Sequence, residues 1–266
     1  MSLDAIRNRR SVRSFDGKAL SSEDLEKIRT FAENVKNPYG IDIEWHFLSK
    51  EKDVLSVPVI SGCDTFIAGK MKKQKHAEEA FGFTFERIVL FATDLGIGTT
   101  WIAGTMDRKG FEKAIGLKED EVMPCISPLG YPAEKMSLKE IAMRKAIRAD
   151  KRLDPAELFF EKDMATPYEG QDSLMKELLE MVRLAPSAVN RQPWRLLVDG
   201  DTVCFYKKGD QTGDLDIRKI DIGIAISHFT LGLEEKGIGY DYICEELPAM
   251  KKDGHEFIAA VRLRKE

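Results

Sequence analysis

Apolar residues at Phe81, Phe85, Ile88, Val89, Ala92 and Leu95 recur at three- and four-residue intervals, which predicts a helix with one buried face. Gly96 can close it in the left-handed conformation. A similar stripe at Ile222, Ile226, Phe229 and Leu233 predicts a second helix running to about Glu235. Around these two lie shorter signals: a basic helix over Leu3 to Arg10, a turn at Asp16-Gly17, and a helix capped by Ser21 or Ser22 that reaches about Val35 and breaks at Asn37-Pro38-Tyr39-Gly40. Further helices are predicted from about Lys109 and over 172–184. Ile43 to Leu48, Cys125 to Tyr131 and Phe257 to Arg264 read as strands, and Trp194 to Tyr206 as a hairpin turning on Asp199-Gly200. Residues 51–78, punctuated by Pro58, Gly62 and Gly69, read as surface loops with at most a short helix. Residues 133–162 are polar and basic and read as an arm between two halves, and a loop carrying Gly209, Gly213 and aspartates precedes the second long helix.

Composition narrows the class. A chain of 266 residues, 43% hydrophobic and 32% charged, builds a real core, and its net charge of −4 argues against a general nucleic-acid binder. No apolar run approaches bilayer length and no apolar signal core follows Met1, so no membrane partner is expected and the cytoplasm is the expected compartment. Cys63, Cys125, Cys204 and Cys244 form no CxxC pair and read as reduced thiols rather than zinc ligands. His46, His76, His228 and His255 are dispersed and outline neither a triad nor a metal cluster.

Self-comparison adds a repeat. Aligning Gly96 on Gly237, an offset of 141 residues (237 − 96), also matches Gly82 with Gly223, Leu90 with Leu231, Ile97 with Ile238, Gly98 with Gly239 and Ile102 with Ile243. A weaker register sets Trp45 on Trp194, Leu25 on Leu174 and Leu48 on Leu197. Each half has kept what the other lost: Asn37 to Glu44, the counterpart of the stretch before Trp194, lacks its polar groups, and Leu158 to Met164 lacks the arginines of Arg9 to Phe15.

That stretch, Ala185 to Trp194, is built for binding. Pro186 and Pro193 bias their preceding residues away from the helical region, so a helix ends near Leu184 and a strand begins near Trp194. Ser187, Asn190 and Gln192 supply hydroxyl and amide groups on the stiffened path between. The loop carries no nucleophile, acid or metal ligand, so its chemistry would come from something bound.

Four motifs in order resemble the FMN-dependent nitroreductase family: Arg9-Arg10-Ser11-Val12-Arg13-Ser14-Phe15, Leu95 to Gly104, Leu129-Gly130-Tyr131-Pro132, and Ala185-Pro186-Ser187-Ala188-Val189-Asn190-Arg191-Gln192-Pro193-Trp194. The resemblance implies an α+β fold that ordinarily dimerises around two flavins. Here the arginine motif and the Pro-Ser-x-x-Asn loop fall in different halves, which resembles a subgroup whose single chain folds as a pseudo-dimer. Residues 1–150 would then be the first repeat with its basic arm and 151–266 the second, in one compact unit, monomeric and with one composite flavin site surviving. By the same resemblance Arg9, Arg10, Ser11 and Arg13 would meet phosphate and ribityl, as would Arg152, with Arg148 a weaker second. The loop around Pro186, with Ser187, Asn190 and Gln192, would meet the ring's polar edge, and the backbone of Ala103 and Gly104 the hydride-accepting nitrogen. The implied activity is ping-pong transfer from NAD(P)H through FMN to a small acceptor, a nitroaromatic or quinone, with no side-chain acid or base required. The rival reading is a non-catalytic protein that holds flavin or another planar ligand on a decayed scaffold.

Overall fold

The computed structural model describes residues 2–210, 215–246 and 250–264, and its centre is the crossing of two long helices, α3 (Ala77–Asp94) and α8 (Ile217–Glu235). Both are apolar around much of their circumference because both are buried, as a helix packed on all sides must be. They touch at glycines. A Cβ on Gly82 would lie 2.0 Å from the Ile220 carbonyl oxygen, and one on Gly223 would lie 2.1 Å from the Glu79 carbonyl oxygen. The offset of 141 residues maps Gly82 to Gly223 and Glu79 to Ile220, so each close approach is the image of the other. One turn further on the pattern recurs: Arg87 Nε donates to Ser227 Oγ at 3.1 Å, while His228 Nε2 lies 2.8 Å from Glu86 Oε1, and the same offset exchanges these two pairs.

A sheet flanks each side. In the first, β2 (Thr65–Lys72) pairs antiparallel with β1 (Glu44–Ser49), β3 (Glu121–Val122) and β4 (Ile126–Pro128). In the second the order is β5 (Phe159–Glu161), β6 (Trp194–Asp199), β7 (Thr202–Lys207), β9 (Glu256–Leu263) and β8 (Tyr240–Ile243), with β5 parallel to β6 and the remaining pairs antiparallel. Helices α2 (Ser22–Asn34) and α7 (Ser173–Leu184) lie with the central pair, and the largest core cluster joins Phe81 and Phe85 to Trp194, Phe205 and Phe229. α1 (Leu3–Asn8) buries Leu3 and Ile6 against Leu90, Met181 and Leu231, a cluster drawn from both halves of the chain.

The helical stripes, the short helix predicted from about Lys109, which is α4 (Arg108–Ala114), the hairpin and the turns at Gly96 and Gly200, both at positive φ, follow the sequence reading. Three segments do not. Residues 51–78 contain the central strand β2, whose side chains are buried on both faces, so it shows no alternation to read. Its Gly69 admits the Trp45 indole, which a Cβ would meet at 2.4 Å. The basic arm holds α5 (Leu138–Ala146), α6 (Pro155–Leu158) and β5, and α8 begins at Ile217 rather than near Ile222. Part of the loop through Gly213 lies outside the described residues.

The four cysteines are free, and no group of three or more His, Cys, Asp or Glu among the described residues could hold a metal. No helix among the described residues is long and apolar enough to cross a membrane.

Candidate functional site

The loop after α7 is strained and heavily clamped. Val189, Asn190 and Gln192 take φ values of 45°, 57° and 50°, a left-handed region that carries roughly 1–3 kcal/mol of strain at each non-glycine residue. Hydrogen bonds hold it there. The Ala188 N–H donates to the buried Asp221 carboxyl at 3.0 Å, and the Gln192 N–H donates to Ser187 Oγ at 2.8 Å. Asn190 Nδ2 donates to the carbonyls of Arg148 and Lys151 at 2.8 and 2.9 Å, and Leu153 N–H donates to Gln192 Oε1 at 2.9 Å. The end of the basic arm is therefore strapped onto the loop. Asn190 and Gln192, read as ring-edge groups from the sequence, direct these amides to the strap, whereas the Ser187 hydroxyl hydrogen is not needed for its bond from Gln192. Pro186 and Ser187 are half-buried.

Arginines converge beside this loop from both halves. Arg9 caps α1 and its side chain is 6% exposed, with Nε 3.8 Å from Glu86 Oε1. Arg152 Nη1 donates to the Ala149 carbonyl at 2.9 Å and approaches Asn190 Oδ1 at 3.4 Å, and its Nη2 donates to the Leu184 carbonyl at 3.3 Å. Arg144, on α5, reaches the Ser11 carbonyl at 3.5 Å and pairs with Asp150. Three buried nitrogens in this group have no hydrogen-bond acceptor: Arg9 Nε, Arg13 Nη1 and Arg152 Nε. Burial makes all three guanidinium groups weaker bases than usual; Arg144 adds repulsion at Arg9 and Arg13, and Arg9 adds it at Arg152. Glu86 offsets this at Arg9 and Glu140 at Arg13. Arg10 is exposed, and Arg148, at φ 50°, contributes its carbonyl to Asn190.

The turn after α3 adjoins the arginine segment. Ser11 bridges Thr99 in parallel, and Val12 N–H donates to the Thr99 carbonyl at 2.8 Å, so the arginine segment meets this turn at Gly98 and Thr99. Arg108 Nη2 donates to the Ala103 carbonyl at 2.7 Å, and space beside Gly104 is open, with nothing within 4 Å of a Cβ there. Arg108 also donates to the Pro124 carbonyl at 3.1 Å, and the neighbouring Cys125 thiol, pushed up by burial, feels Asp221, the carboxyl that anchors the Ser187 loop at Ala188.

Glu86, Glu140, Arg144 and Asp221 carry no motif in the sequence. Glu86 and Asp221 are acidic residues set inside apolar helical stripes, which is the signal that could have found them, since a buried carboxylate needs a partner. For a dianionic phosphate the donor set fits. Buried guanidinium N–H groups without acceptors, drawn from Arg9, Arg13 and Arg152, are what a phosphate oxygen satisfies.

These features define a nitroreductase-like α+β oxidoreductase. The chain belongs to the family described as "Putative TM nitroreductase", whose model matches residues 2–233. It is similar to a "Putative NADH dehydrogenase/NAD(P)H nitroreductase" of Archaeoglobus fulgidus, 28% identical over 180 residues, covering 60% of this chain and 97% of that protein. A protein of the same description from Methanothermobacter thermautotrophicus is 25% identical over 160 residues, covering 52% of this chain and 81% of its own length. Among solved structures, one described as "a putative nitroreductase" from Thermotoga maritima aligns over 98% of this chain and 93% of its own, with a TM-score of 0.60 at 24% identity, a likeness that speaks to the fold.

Proposed function

We propose that the chain is an FMN-dependent NAD(P)H oxidoreductase whose single flavin site lies between two degenerate half-repeats, residues 1–150 and 151–266, folded as a monomeric pseudo-dimer in the cytoplasm. The observation that carries this is the set of acceptor-less buried nitrogens on Arg9, Arg13 and Arg152, which come from both halves. The reciprocal contacts of Gly82 and Gly223 across the helix crossing support the pseudo-twofold arrangement.

FMN held here would supply two-electron transfer from the nicotinamide to a small acceptor such as a nitroaromatic or quinone. Arg9, Arg13 and Arg152 would hold its phosphate, with Arg10 and Ser11 in the same segment. The Ser187 hydroxyl, free to donate, would supply a hydrogen bond where negative charge gathers on a bound ring, and the open space at Gly104 would let backbone approach it closely. Asn190 and Gln192 act at one remove, by holding the strap that carries Arg152.

One observation favours the second reading, a planar-ligand binder without turnover: both Asn190 amide hydrogens go to the strap and not to an open face. Anaerobic NAD(P)H addition to the reconstituted protein, followed by steady-state oxidation with menadione, separates the two. Bleaching with turnover above that of free FMN supports the oxidoreductase; tight flavin binding with turnover no faster than free FMN supports the binder.

A further inference from the structure

Glu86 is a fully buried carboxylate that joins both ends of the candidate site. From the middle of α3, its Oε2 accepts from Trp101 Nε1 at 3.0 Å, and its Oε1 lies 2.8 Å from His228 Nε2 and 3.8 Å from Arg9 Nε. His228 is itself fully buried, and its Nδ1 lies 2.9 Å from the Met181 carbonyl oxygen. A carbonyl can only accept, so Nδ1 donates to Met181, and Nε2 must carry a proton as well to donate to the Glu86 carboxylate. Trp101 precedes Ala103 and Gly104 by two and three positions, and Arg9 opens the arginine motif.

Charge decides what this arrangement is for. Arg144 repels Arg9 and Arg9 repels Arg152, and a buried guanidinium without a counter-charge is strongly unfavourable. Glu86 is the carboxylate that opposes that repulsion at Arg9, yet at 3.8 Å it leaves Arg9 Nε without a hydrogen bond. The arginine is thus held in place with a donor to spare.

Resting on the flavin reading above, we infer that Glu86 is a positioning residue: one carboxylate, clamped by His228, sets the Arg9 guanidinium at the phosphate end and the Trp101 turn at the ring end. Because it acts on phosphate through Arg9, Glu86 governs the preference of the apo-protein for FMN over riboflavin, and not merely its affinity for flavin.

The test is flavin titration of wild type, Glu86→Gln, Arg9→Ala and the double variant, each with FMN and with riboflavin, alongside thermal unfolding. Glu86→Gln keeps an oxygen for Trp101 and removes the charge from Arg9. The FMN-to-riboflavin affinity ratio should fall by roughly tenfold in Glu86→Gln, nearly as far as in Arg9→Ala, with little further loss in the double variant. A Glu86→Gln ratio equal to that of wild type overturns the inference even if its stability drops, because a merely structural carboxylate would weaken both flavins alike. Should Glu86→Gln fail to fold, Glu86→Asp, which retracts the charge by one methylene, should give an intermediate ratio; an unchanged ratio there is equally fatal. Wild type that binds neither flavin removes the flavin reading itself, an outcome distinct from an unchanged ratio in the variants.

Discussion

Gly82 and Gly223 stand in the same relation to each other's helix: each places its missing side chain against the opposite backbone, 2.0 Å from the Ile220 oxygen and 2.1 Å from the Glu79 oxygen. Backbone cannot rotate aside as a side chain can. Gly82→Ala and Gly223→Ala should therefore each force α3 and α8 apart and lower stability by about 3 kcal/mol or more, by similar amounts, in thermal or denaturant unfolding. Gly104→Ala, with open space at its Cβ, is the control that should leave stability nearly unchanged. Two mild and unequal effects at Gly82 and Gly223 would contradict the reciprocal packing.

Asp221 predicts a pH effect. Burial pushes its carboxyl well above the ordinary carboxylate range, opposed by the Ala188 N–H, with Asp216 adding to the rise and Arg218 opposing it. The folded state then binds a proton that the unfolded chain has released, so this contribution is fully present below the unfolded value and is lost as pH rises toward the raised folded one. Asp221→Asn keeps an oxygen for Ala188 and removes the titration. Its stability advantage over wild type should grow from acid to neutral pH; parallel melting profiles would rule the effect out.

Asn190→Ala removes two donors to the Arg148 and Lys151 carbonyls, and Gln192→Ala removes the acceptor for Leu153 N–H. Each should free the strap at a loss of about 1–2 kcal/mol. Hydrogen exchange at Leu153 should accelerate in both variants, while the amides of β2, in the other sheet, should not change.

Arg13→Ala deletes one of the acceptor-less donors. Hydrogen bonds to charged groups contribute about 1.5–3 kcal/mol, so the variant should bind FMN roughly ten- to a hundredfold more weakly. The relevant measurement is the dissociation constant of the apo-protein, since removing a self-repelling charge need not lower its stability. Undiminished affinity would remove Arg13 from the site.

Much of this molecule was legible because periodicity and turn chemistry are local. The stripe from Phe81 to Leu95 and the Asp199-Gly200 hairpin are set by residues a few positions apart, and the structure follows them. β2 was not legible, since a strand buried on both faces loses its alternation and Gly69 reads as a breaker until Trp45 is seen against it. α5 was hidden for the opposite reason: Leu138 and Ile141 are exposed, at 86% and 49%, while Glu140 is buried, so its pattern inverts that of an ordinary surface helix. Within the candidate site, motifs had pointed to Arg9, Arg13, Arg152 and the loop, but not to Arg144. Glu86 and Asp221 act across the fold, on Arg9 and Ala188, and nothing near them in the chain announces those partners.

One composite site built from Arg9 to Arg13 and the Ser187 loop should hold one flavin per chain. Titrating the apo-chain with FMN and counting the flavin bound per chain should give one, with Arg13→Ala and Asn190→Ala weakening that same site; two per chain, or none, would rule the composite site out.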